Sequence, residues 1–279
     1  MASLKMIRAD INKEELGDIL NVVKNYHGYD FFDYSKASLT RRVNKFLEDN
    51  QLGTVYELKN KLINEPNYFH HFLQTITVNV TEIFRDANFY KSMREHVIPI
   101  LASYPKFNIW HAGCSTGEEV FSMCILLKEA GLLDRAKIYA TDINVANLER
   151  ANTGIIPLKY MKDYTSNYIK AGCQHDFADY YTAKYDHALI KKEIRENIFF
   201  SHHNLVTDGS FNEFHFICCR NVLIYFDTSL QRRVIDLFYE SLSTLGVLAL
   251  GLKESLMMID HPNRFEAIDR TAKIFRRKN

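Results

Sequence analysis

The sequence predicts an α/β protein. An all-helical N-terminal domain precedes a doubly wound, mostly parallel sheet that carries a small inserted antiparallel β-subdomain. Apolar residues recur at helical spacing from residue 11 to about 77, where Pro66 is the only proline. From about residue 107, short apolar strands alternate with amphipathic helices, which is typical of a sheet covered on both faces. Residues 155–197 break this alternation and indicate the antiparallel insertion.

Three or four helices are expected in the N-terminal domain. Their apolar positions repeat every three or four residues, as on a helix face that packs against a core: Leu16, Ile19, Leu20, Val23, Leu39, Val43, Phe46, Leu58, Leu62, Phe69, Phe72, Leu73 and Ile76. Arg41, Arg42 and Lys45 are interpreted as an outward basic face. This face is either simply solvated or in contact with an acidic partner.

The second domain is predicted to alternate strands and helices in a regular order. Its strands begin at residue 107 and continue with Ile138–Thr141, Ile198–His202, His215–Arg220, Gly246–Gly251 and a terminal hairpin, Phe265–Ile268 with Lys273–Phe275. Its helices are Glu118–Ala130, Val145–Ala151 and Ser229–Leu242. Within the insertion, Phe177–Thr182 and His187–Ile194 flank a polar break.

The bulk composition excludes several classes of protein. The 35 basic and 34 acidic residues leave a net charge of +1, so no nucleic-acid partner is expected. Five cysteines without a C-x-x-C pair make a disulfide framework improbable and favour a cytoplasmic location. We find neither a signal peptide nor an apolar run near the ~20 residues that span a bilayer, so membrane insertion is not expected.

The most informative feature is a strand–turn–helix–strand–acid unit. The turn Gly113–Glu119 (Gly-Cys-Ser-Thr-Gly-Glu-Glu) follows the first strand, and Asp142 ends the second. This layout holds nucleoside-bearing cofactors in open α/β sheets. The turn matches the dinucleotide pattern G-x-G-x-x-G poorly, and it places carboxylates where a pyrophosphate needs N–H groups. A cationic nucleoside without phosphate suits it, and S-adenosylmethionine is such a ligand.

Each candidate residue also has an ordinary structural interpretation. Asp142 can accept both ribose hydroxyls or cap the helix that starts near Asn144, and the turn upstream favours ribose binding. Of the two acids Glu118 and Glu119, one can bind the ammonium of the cofactor, while both also complement the helix dipole. Glu119 is the first choice for the ammonium.

Three further segments carry polar residues with two interpretations each. Asn204 and Leu205 follow a strand, where they can contact adenine or simply form a turn. The segment Thr75–Asp86 contains polar residues within an apolar run. These polar residues can face a ligand, or Thr81 can cap a helix. Asn221 and Tyr225 can line the pocket of the methyl acceptor or belong to a core strand and its rim. No His, Cys and acid spacing indicates a metal site.

Taken together, these motifs resemble the chemotaxis receptor methyltransferases of the CheR family. The similarity extends over nearly the whole chain and rests on five motifs in the same order: Thr-Val-Asn-Val-Thr-Glu-Ile-Phe-Arg-Asp (77–86), Gly-Cys-Ser-Thr-Gly-Glu-Glu (113–119), Ala-Thr-Asp-Ile (140–143), Asn-Leu (204–205) and Cys-Arg-Asn-Val-Leu-Ile-Tyr-Phe (219–226). Several separated motifs in register are far more specific than any one of them.

The resemblance implies a fold and a set of site residues. Residues 1–77 would form the helical domain, 78–106 a linker and helix contributing to the cofactor site, and 107–279 a class I, Rossmann-like methyltransferase domain with its β-subdomain at about 165–197. The implied cofactor-binding residues are Asn79, Thr81, Arg85, Glu119, Asp142, Asn204, Leu205, Arg220 and Asn221. Arg85 and Tyr225 would lie near the reacting methyl group and act in catalysis.

The resemblance also implies a reaction. A monomeric enzyme would transfer the methyl group of S-adenosylmethionine to glutamate carboxylates in the cytoplasmic helical bundle of a chemoreceptor, leaving S-adenosylhomocysteine. The break at Thr182–Asp186 lacks glycine, which argues against tethering by a receptor tail. Two alternatives stay open. One is a methyltransferase acting on another protein, a small molecule or RNA, and the other is a non-catalytic adaptor that senses the cofactor.

Overall fold

A computed structural model describes residues 10–77, 79–256 and 264–278, without the side chain of Pro66. The chain divides into two compact units. One comprises Met1–Val78 with Tyr225–Leu230, and the other comprises Asn79–Ile224 with Gln231–Asn279. Residue 78, where the linker is predicted to begin, and residues 1–9, where no signal peptide is predicted, lie outside the described residues.

Within residues 10–77 the smaller unit contains four helices, in agreement with the three or four that the apolar spacing predicts. They are α1 (Lys13–His27), α2 (Lys36–Asp49), α3 (Val55–Asn64) and α4 (Pro66–Ile76). Asn12 and Glu15 form a capping box at the start of α1, and Thr54 with Glu57 forms another at α3. Helix α1 ends at Gly28 in the left-handed conformation, with φ of 77°. The predicted apolar positions are buried.

The prediction of an outward basic face on α2 is wrong for one of its three residues. Arg41 and Lys45 are exposed, but Arg42 is only 9% exposed. Its guanidinium donates to the carbonyl of Ile76 and lies 4.5 Å from the ring centre of Tyr225. Arg42 lies on the same face of the helix as its apolar neighbours. The aliphatic part of its side chain is therefore buried, and its guanidinium contacts a carbonyl and an aromatic ring.

A mixed sheet organises the larger unit. Its strands and those of a smaller sheet are β1 (Phe107–Ala112), β2 (Ala136–Asp142), β3 (Ile155–Pro157), β4 (Tyr181–Lys184), β5 (His187–Ile190), β6 (Ile198–His202), β7 (Phe214–Cys219), β8 (Leu242–Leu250), β9 (Phe265–Asp269) and β10 (Ile274–Arg277). Among the described residues the large sheet has the order β6-β2-β1-β7-β8-β10-β9. Its first five strands are parallel, and the last two form the predicted hairpin.

Helices precede these strands and separate most of them, which confirms the doubly wound class. They are α5 (Ala87–Ser92), a π-helical segment (Met93–Val97), α6 (Ile98–Ala102), α7 (Glu118–Glu129), α8 (Val145–Thr153), α9 (Met161–Lys170), α10 (Lys192–Arg195) and α11 (Thr228–Ser241). The core contains fully buried residues from the central strands and from α7, including Ile109, Ile138, Phe216 and Met123. In the described parts of the chain, no helix is both long and apolar enough to cross a membrane.

The insertion contains a small antiparallel sheet in the order β3-β5-β4. Its first strand, Ile155–Pro157, lies before the range of about 165–197 predicted for the subdomain, and α9 separates it from the other two strands. Strands β4 and β5 meet at a tight turn that contains no glycine. Tyr185 therefore adopts the left-handed conformation there, with φ of 51°.

Strand register brings the predicted motifs to one edge of the large sheet. Ala112 pairs with Thr141, Asp142 pairs with His202, and His111 pairs with Cys218. Since β1, β2, β6 and β7 are parallel, the segments that follow them lie at the same carboxyl edge, where open α/β sheets bind ligands. The backbone N–H groups of Gly113 and Cys114 both donate to the carbonyl of Thr141.

Replacing Gly113 with alanine should destabilise this edge, because Gly113 has φ of 79° and an added Cβ would lie 2.5 Å from Cγ2 of Val222. We expect a loss of roughly 1–3 kcal/mol in the free energy of unfolding from the overpacking alone. The control is Gly131→Ala, where φ is 69° but nothing lies within 4 Å of the new Cβ. Urea unfolding should show a larger loss for Gly113→Ala, and Val222→Ala should restore part of it. Equal losses at the two glycines would contradict the contact.

Candidate functional site

The turn after β1 leads directly into α7. Gly117 begins that helix with φ of 93°, and a side chain there would meet Ala151 and Phe121 at 3.0 and 3.1 Å. Glu118 and Glu119 then occupy the first helical turn. Two carboxylates therefore occupy the end of the helix dipole that a phosphate would need.

Asp142 connects the turns that follow β1 and β2. Its Oδ2 accepts from the backbone N–H of Ser115 at 2.9 Å, and its Oδ1 accepts from that of Asn144 at 2.8 Å. The cap of α8 is Asn144 itself, which accepts from Ala146. Burial raises the pKa of Asp142, although these N–H groups oppose the shift. The carboxylate retains acceptor capacity beyond these bonds, as ribose binding requires.

A neighbouring asparagine that the motifs do not indicate joins Asp142 to the segment before α5. The side-chain amide of Asn147 donates to Oδ1 of Asn79 at 2.7 Å and lies 3.4 Å from Oδ1 of Asp142. The structure therefore brings Asn79 to Asp142 across 63 positions of sequence. Thr81 follows Asn79 and is half-buried. The only sequence signal for Asn147 is its place in the first turn of α8, three residues after the cap.

Glu119 is the centre of a second polar network. His111 Nδ1 lies 3.1 Å from its Oε1, the thiol of Cys218 donates to the same oxygen at 3.2 Å, and Arg220 Nη1 donates to Oε2 at 3.0 Å. Burial alone would raise the pKa of Glu119, but the hydrogen bond from His111 and the guanidinium of Arg220 lower it to about 2. Glu119 is therefore ionised at neutral pH.

The adjacent Glu118 is in a different environment. It accepts from the hydroxyl of Thr116 at 2.6 Å, and burial raises its pKa despite that bond. Burial desolvates both acids, but only Glu119 has partners that lower its pKa below the usual value. This difference supports the choice of Glu119 for a cationic ligand.

Arg220 is fully buried and bound on several sides. In addition to Glu119, its guanidinium donates to Asp86 Oδ2 at 2.6 Å and to the carbonyl of Arg85 at 3.4 Å. It also lies 4.0 Å from the ring centre of Phe89. These partners already engage both terminal nitrogens of Arg220. Its contact with the cofactor stays a prediction.

Backbone hydrogen bonds to Glu254 join the segment after β7 to the segment after β8. Asn221 adopts the left-handed conformation with φ of 62°, and its backbone N–H donates to Glu254 at 3.2 Å. Glu254, which the sequence did not indicate, also accepts from Val222 at 2.9 Å. Asn221 is half-buried, so its side chain remains a candidate for the cofactor site.

Arg85 lies on a turn with unusual backbone geometry. Its neighbours Phe84 and Asp86 have φ of 52° and 61°, in a region that bulky residues rarely adopt. The guanidinium of Arg85 donates to the carbonyl of Val80 at 3.1 Å. The segment is thus a turn, and the alternative of a helix start capped by Thr81 is wrong, since α5 begins at Ala87.

The remaining predicted residues divide between the two units. Asn204 forms a turn, with its Oδ1 accepting from Val206 at 2.9 Å, and Leu205 beside it is half-buried. Contact of either with adenine stays a prediction. Tyr225 belongs to the smaller unit, where its carbonyl accepts from the backbone of Ser35 at 2.8 Å and its ring contacts Arg42. Its catalytic role likewise stays a prediction.

Three potential metal ligands converge although no sequence spacing indicates them. Atoms of His111, Glu119 and Cys218 lie within 4.8 Å of one another. Their contacts are hydrogen bonds that end on Glu119, and the guanidinium of Arg220 occupies its other oxygen. Burial raises the pKa of the Cys218 thiol well above its usual value, so it is a donor rather than a thiolate ligand. We therefore assign the cluster to the charge network of Glu119.

The stability contribution of Glu119 should depend on pH. Because its folded-state pKa is lowered from 4.5 to about 2, the contribution is complete above the unfolded value and is lost as the pH falls toward the folded one. The shift corresponds to about 3 kcal/mol. Urea unfolding of the wild type and Glu119→Gln should show a gap at about pH 6 that narrows at about pH 3. The other buried acids are present in both proteins, so a gap independent of pH would contradict the assignment.

Comparison with known proteins identifies the family. Residues 79–274 match the model described as CheR methyltransferase, SAM binding domain, and residues 14–77 match CheR methyltransferase, all-alpha domain. The chain is 43% identical over 263 residues to a Pseudomonas putida protein, Cher3, whose name describes a methyltransferase, with 94% and 96% of the two chains covered.

Two further relatives carry more specific names. The chemotaxis protein methyltransferase of Listeria monocytogenes is 30% identical over 250 residues, covering 89% of this chain and 92% of that one. Chemotaxis protein methyltransferase 2 of Pseudomonas aeruginosa is 31% identical over 232 residues, covering 81% of each. The chain therefore belongs to the CheR methyltransferase family and contains its S-adenosylmethionine-binding domain.

Proposed function

We propose that this protein methylates glutamate side chains in the cytoplasmic helical bundle of a chemoreceptor, forming methyl esters and S-adenosylhomocysteine. The observation that carries the proposal is similarity, over 81% or more of both chains, to relatives named chemotaxis protein methyltransferase. The enzyme would act in the cytoplasm as a monomer, with the receptor bundle as its protein partner.

The polar networks support binding of this cofactor by the predicted residues. Asp142 offers a carboxylate at the end of β2 for the ribose hydroxyls, and the ionised Glu119 offers one for the ammonium. Asn79, linked to Asp142 through Asn147, belongs to the same rim. When bound, the cofactor supplies a methyl group on a cationic sulfur.

The proposed reaction requires orientation rather than proton removal. An acceptor glutamate with a pKa of about 4.3 is already ionised at neutral pH, so no general base is needed. Well-achieved orientation can lower a barrier by roughly 7–11 kcal/mol. Arg85 would steer the acceptor carboxylate, and Tyr225 would hold the acceptor through its hydroxyl. The guanidinium of Arg85 donates to the carbonyl of Val80, and within the described parts of the chain it forms no ion pair with a carboxylate.

The identity of the methyl acceptor is the part of the proposal for which a specific alternative exists. The relative at 43% identity is named only as a methyltransferase, without reference to chemotaxis. A methyltransferase acting on another signalling protein or a small molecule is therefore the second candidate. A non-catalytic adaptor is the third, and the intact set of Arg85, Glu119 and Asp142 counts against it.

Transfer of labelled methyl groups to receptor cytoplasmic fragments tests the proposal. Label on glutamate should be released as methanol by mild base, whereas label on nitrogen should not. Arg85→Ala should lower the turnover number far more than it weakens cofactor binding, because it acts on the acceptor. Exposed Arg232 on α11 provides the control, and Arg232→Ala should change neither. Base-stable label, or no label on any receptor fragment, would contradict receptor glutamate as the acceptor.

The isosteric change Asp142→Asn should weaken cofactor binding by about tenfold or more, equivalent to at least 1.4 kcal/mol. The amide loses the charge that ribose hydroxyls and N–H donors favour. Calorimetry should show similar losses for S-adenosylhomocysteine and for adenosine, since both contain the ribose. The melting temperature serves as the control for folding, and unchanged affinity in a folded variant would remove Asp142 from the site.

A further inference from the structure

Asp86 is the last residue of the motif 77–86, yet the resemblance to the CheR family assigns it no role. Its carboxylate forms the shorter of the two ion pairs of Arg220, at 2.6 Å compared with 3.0 Å for Glu119. The Arg220 side chain has no exposure, while those of Asp86 and Glu119 are 29% and 18% exposed. One buried cation is thus shared by two partly accessible carboxylates.

The backbone around Asp86 directs its side chain to this contact. Asp86 is the N-cap residue of α5, where an aspartate normally accepts from the first helical N–H groups, but its side chain makes no such bond. It adopts the left-handed conformation instead, and its carbonyl accepts from Phe89 at 2.7 Å. Phe89 in turn lies against the guanidinium of Arg220.

The charge balance of the three residues has a consequence for the ligand. A guanidinium paired with Glu119 alone would neutralise it and weaken its attraction for any cation. With Asp86 as a second partner, two carboxylates share one guanidinium and the group keeps a formal charge of −1. The ammonium of a ligand competes with Arg220 for Glu119, and this net negative charge favours its binding.

We propose that Asp86 holds the guanidinium of Arg220 so that Glu119 remains available to the amino-acid ammonium of the cofactor. Asp86 is then a positioning residue that acts through Arg220. The inference rests on the proposed contact between Glu119 and the ammonium. It predicts a selective effect, because only ligands that carry the ammonium should depend on Asp86.

Calorimetry with Asp86→Asn tests this selectivity, and asparagine suits the site because it tolerates the left-handed conformation. Affinity for S-adenosylhomocysteine should fall by about tenfold, which corresponds to ~1.4 kcal/mol. Affinity for adenosine, which lacks the amino-acid part, should not change. Asp86→Glu, which restores the carboxylate, should recover part of the loss. Asp236→Asn, which removes a 2.7 Å ion pair with Arg264, should leave both affinities unchanged.

A double-variant cycle identifies the route of the effect. In the Glu119→Gln background, Asp86→Asn should have little further effect, because the two changes act on one contact. Equal losses for adenosine and S-adenosylhomocysteine would show a purely structural role and overturn the inference. No loss for either ligand would overturn it as well. Neither result would affect the transfer assay on the wild type, which tests the proposed function separately.

Discussion

A buried guanidinium determines how the candidate site is assembled. Arg220 has no exposure, and a charge in that position is costly unless it is paired and hydrogen-bonded. Its partners come from the first turn of α7 and from the turn before α5. Three segments that are distant in sequence must therefore close on one another. The turn that carries Arg85 is thus bonded to Arg220 through the carboxylate of Asp86 and the carbonyl of Arg85.

The same region shows how an open α/β sheet can select against phosphate. A helix that follows a glycine turn usually offers its free N–H groups and the positive end of its dipole to an anion. Here Glu118 and Glu119 occupy that end, and the strongly lowered pKa of Glu119 keeps one of them charged. The edge of the sheet is therefore suited to a cation with a ribose, which agrees with the S-adenosylmethionine-binding domain of the family.

The helical unit has a charge arrangement of its own. Arg42 is buried with its guanidinium on a carbonyl and against the ring of Tyr225. The short segment that contains Tyr225 is bound to this unit by backbone contacts as well. Ser35 donates to the carbonyl of Tyr225, and Asp227 donates to that of Asp33. A residue predicted from its motif to act in catalysis thus takes its immediate surroundings from the helical unit.

Local signals were sufficient for most of the fold. Capping boxes at Asn12 and Thr54, the left-handed glycine at Gly28 and the apolar spacing of α1–α4 depend on neighbours within a few residues. The alternation of strands and helices likewise fixed the class of the second domain. Errors arose where distant contacts decide, as at Arg42, whose burial depends on a carbonyl of α4 and on a ring from residue 225.

For the site, the sequence by itself determined which residue types follow each strand, and therefore that carboxylates replace a phosphate cradle. It favoured Glu119 over Glu118 but could not predict that their pKa values diverge, because His111 on β1, Cys218 on β7 and Arg220 after β7 lower only that of Glu119. The sequence also could not predict the contacts of Asn147, Asp86 and Glu254. Their partners Asn79, Arg220 and Asn221 are separated from them by 33 residues or more, and only strand register and the burial of charge bring such pairs together.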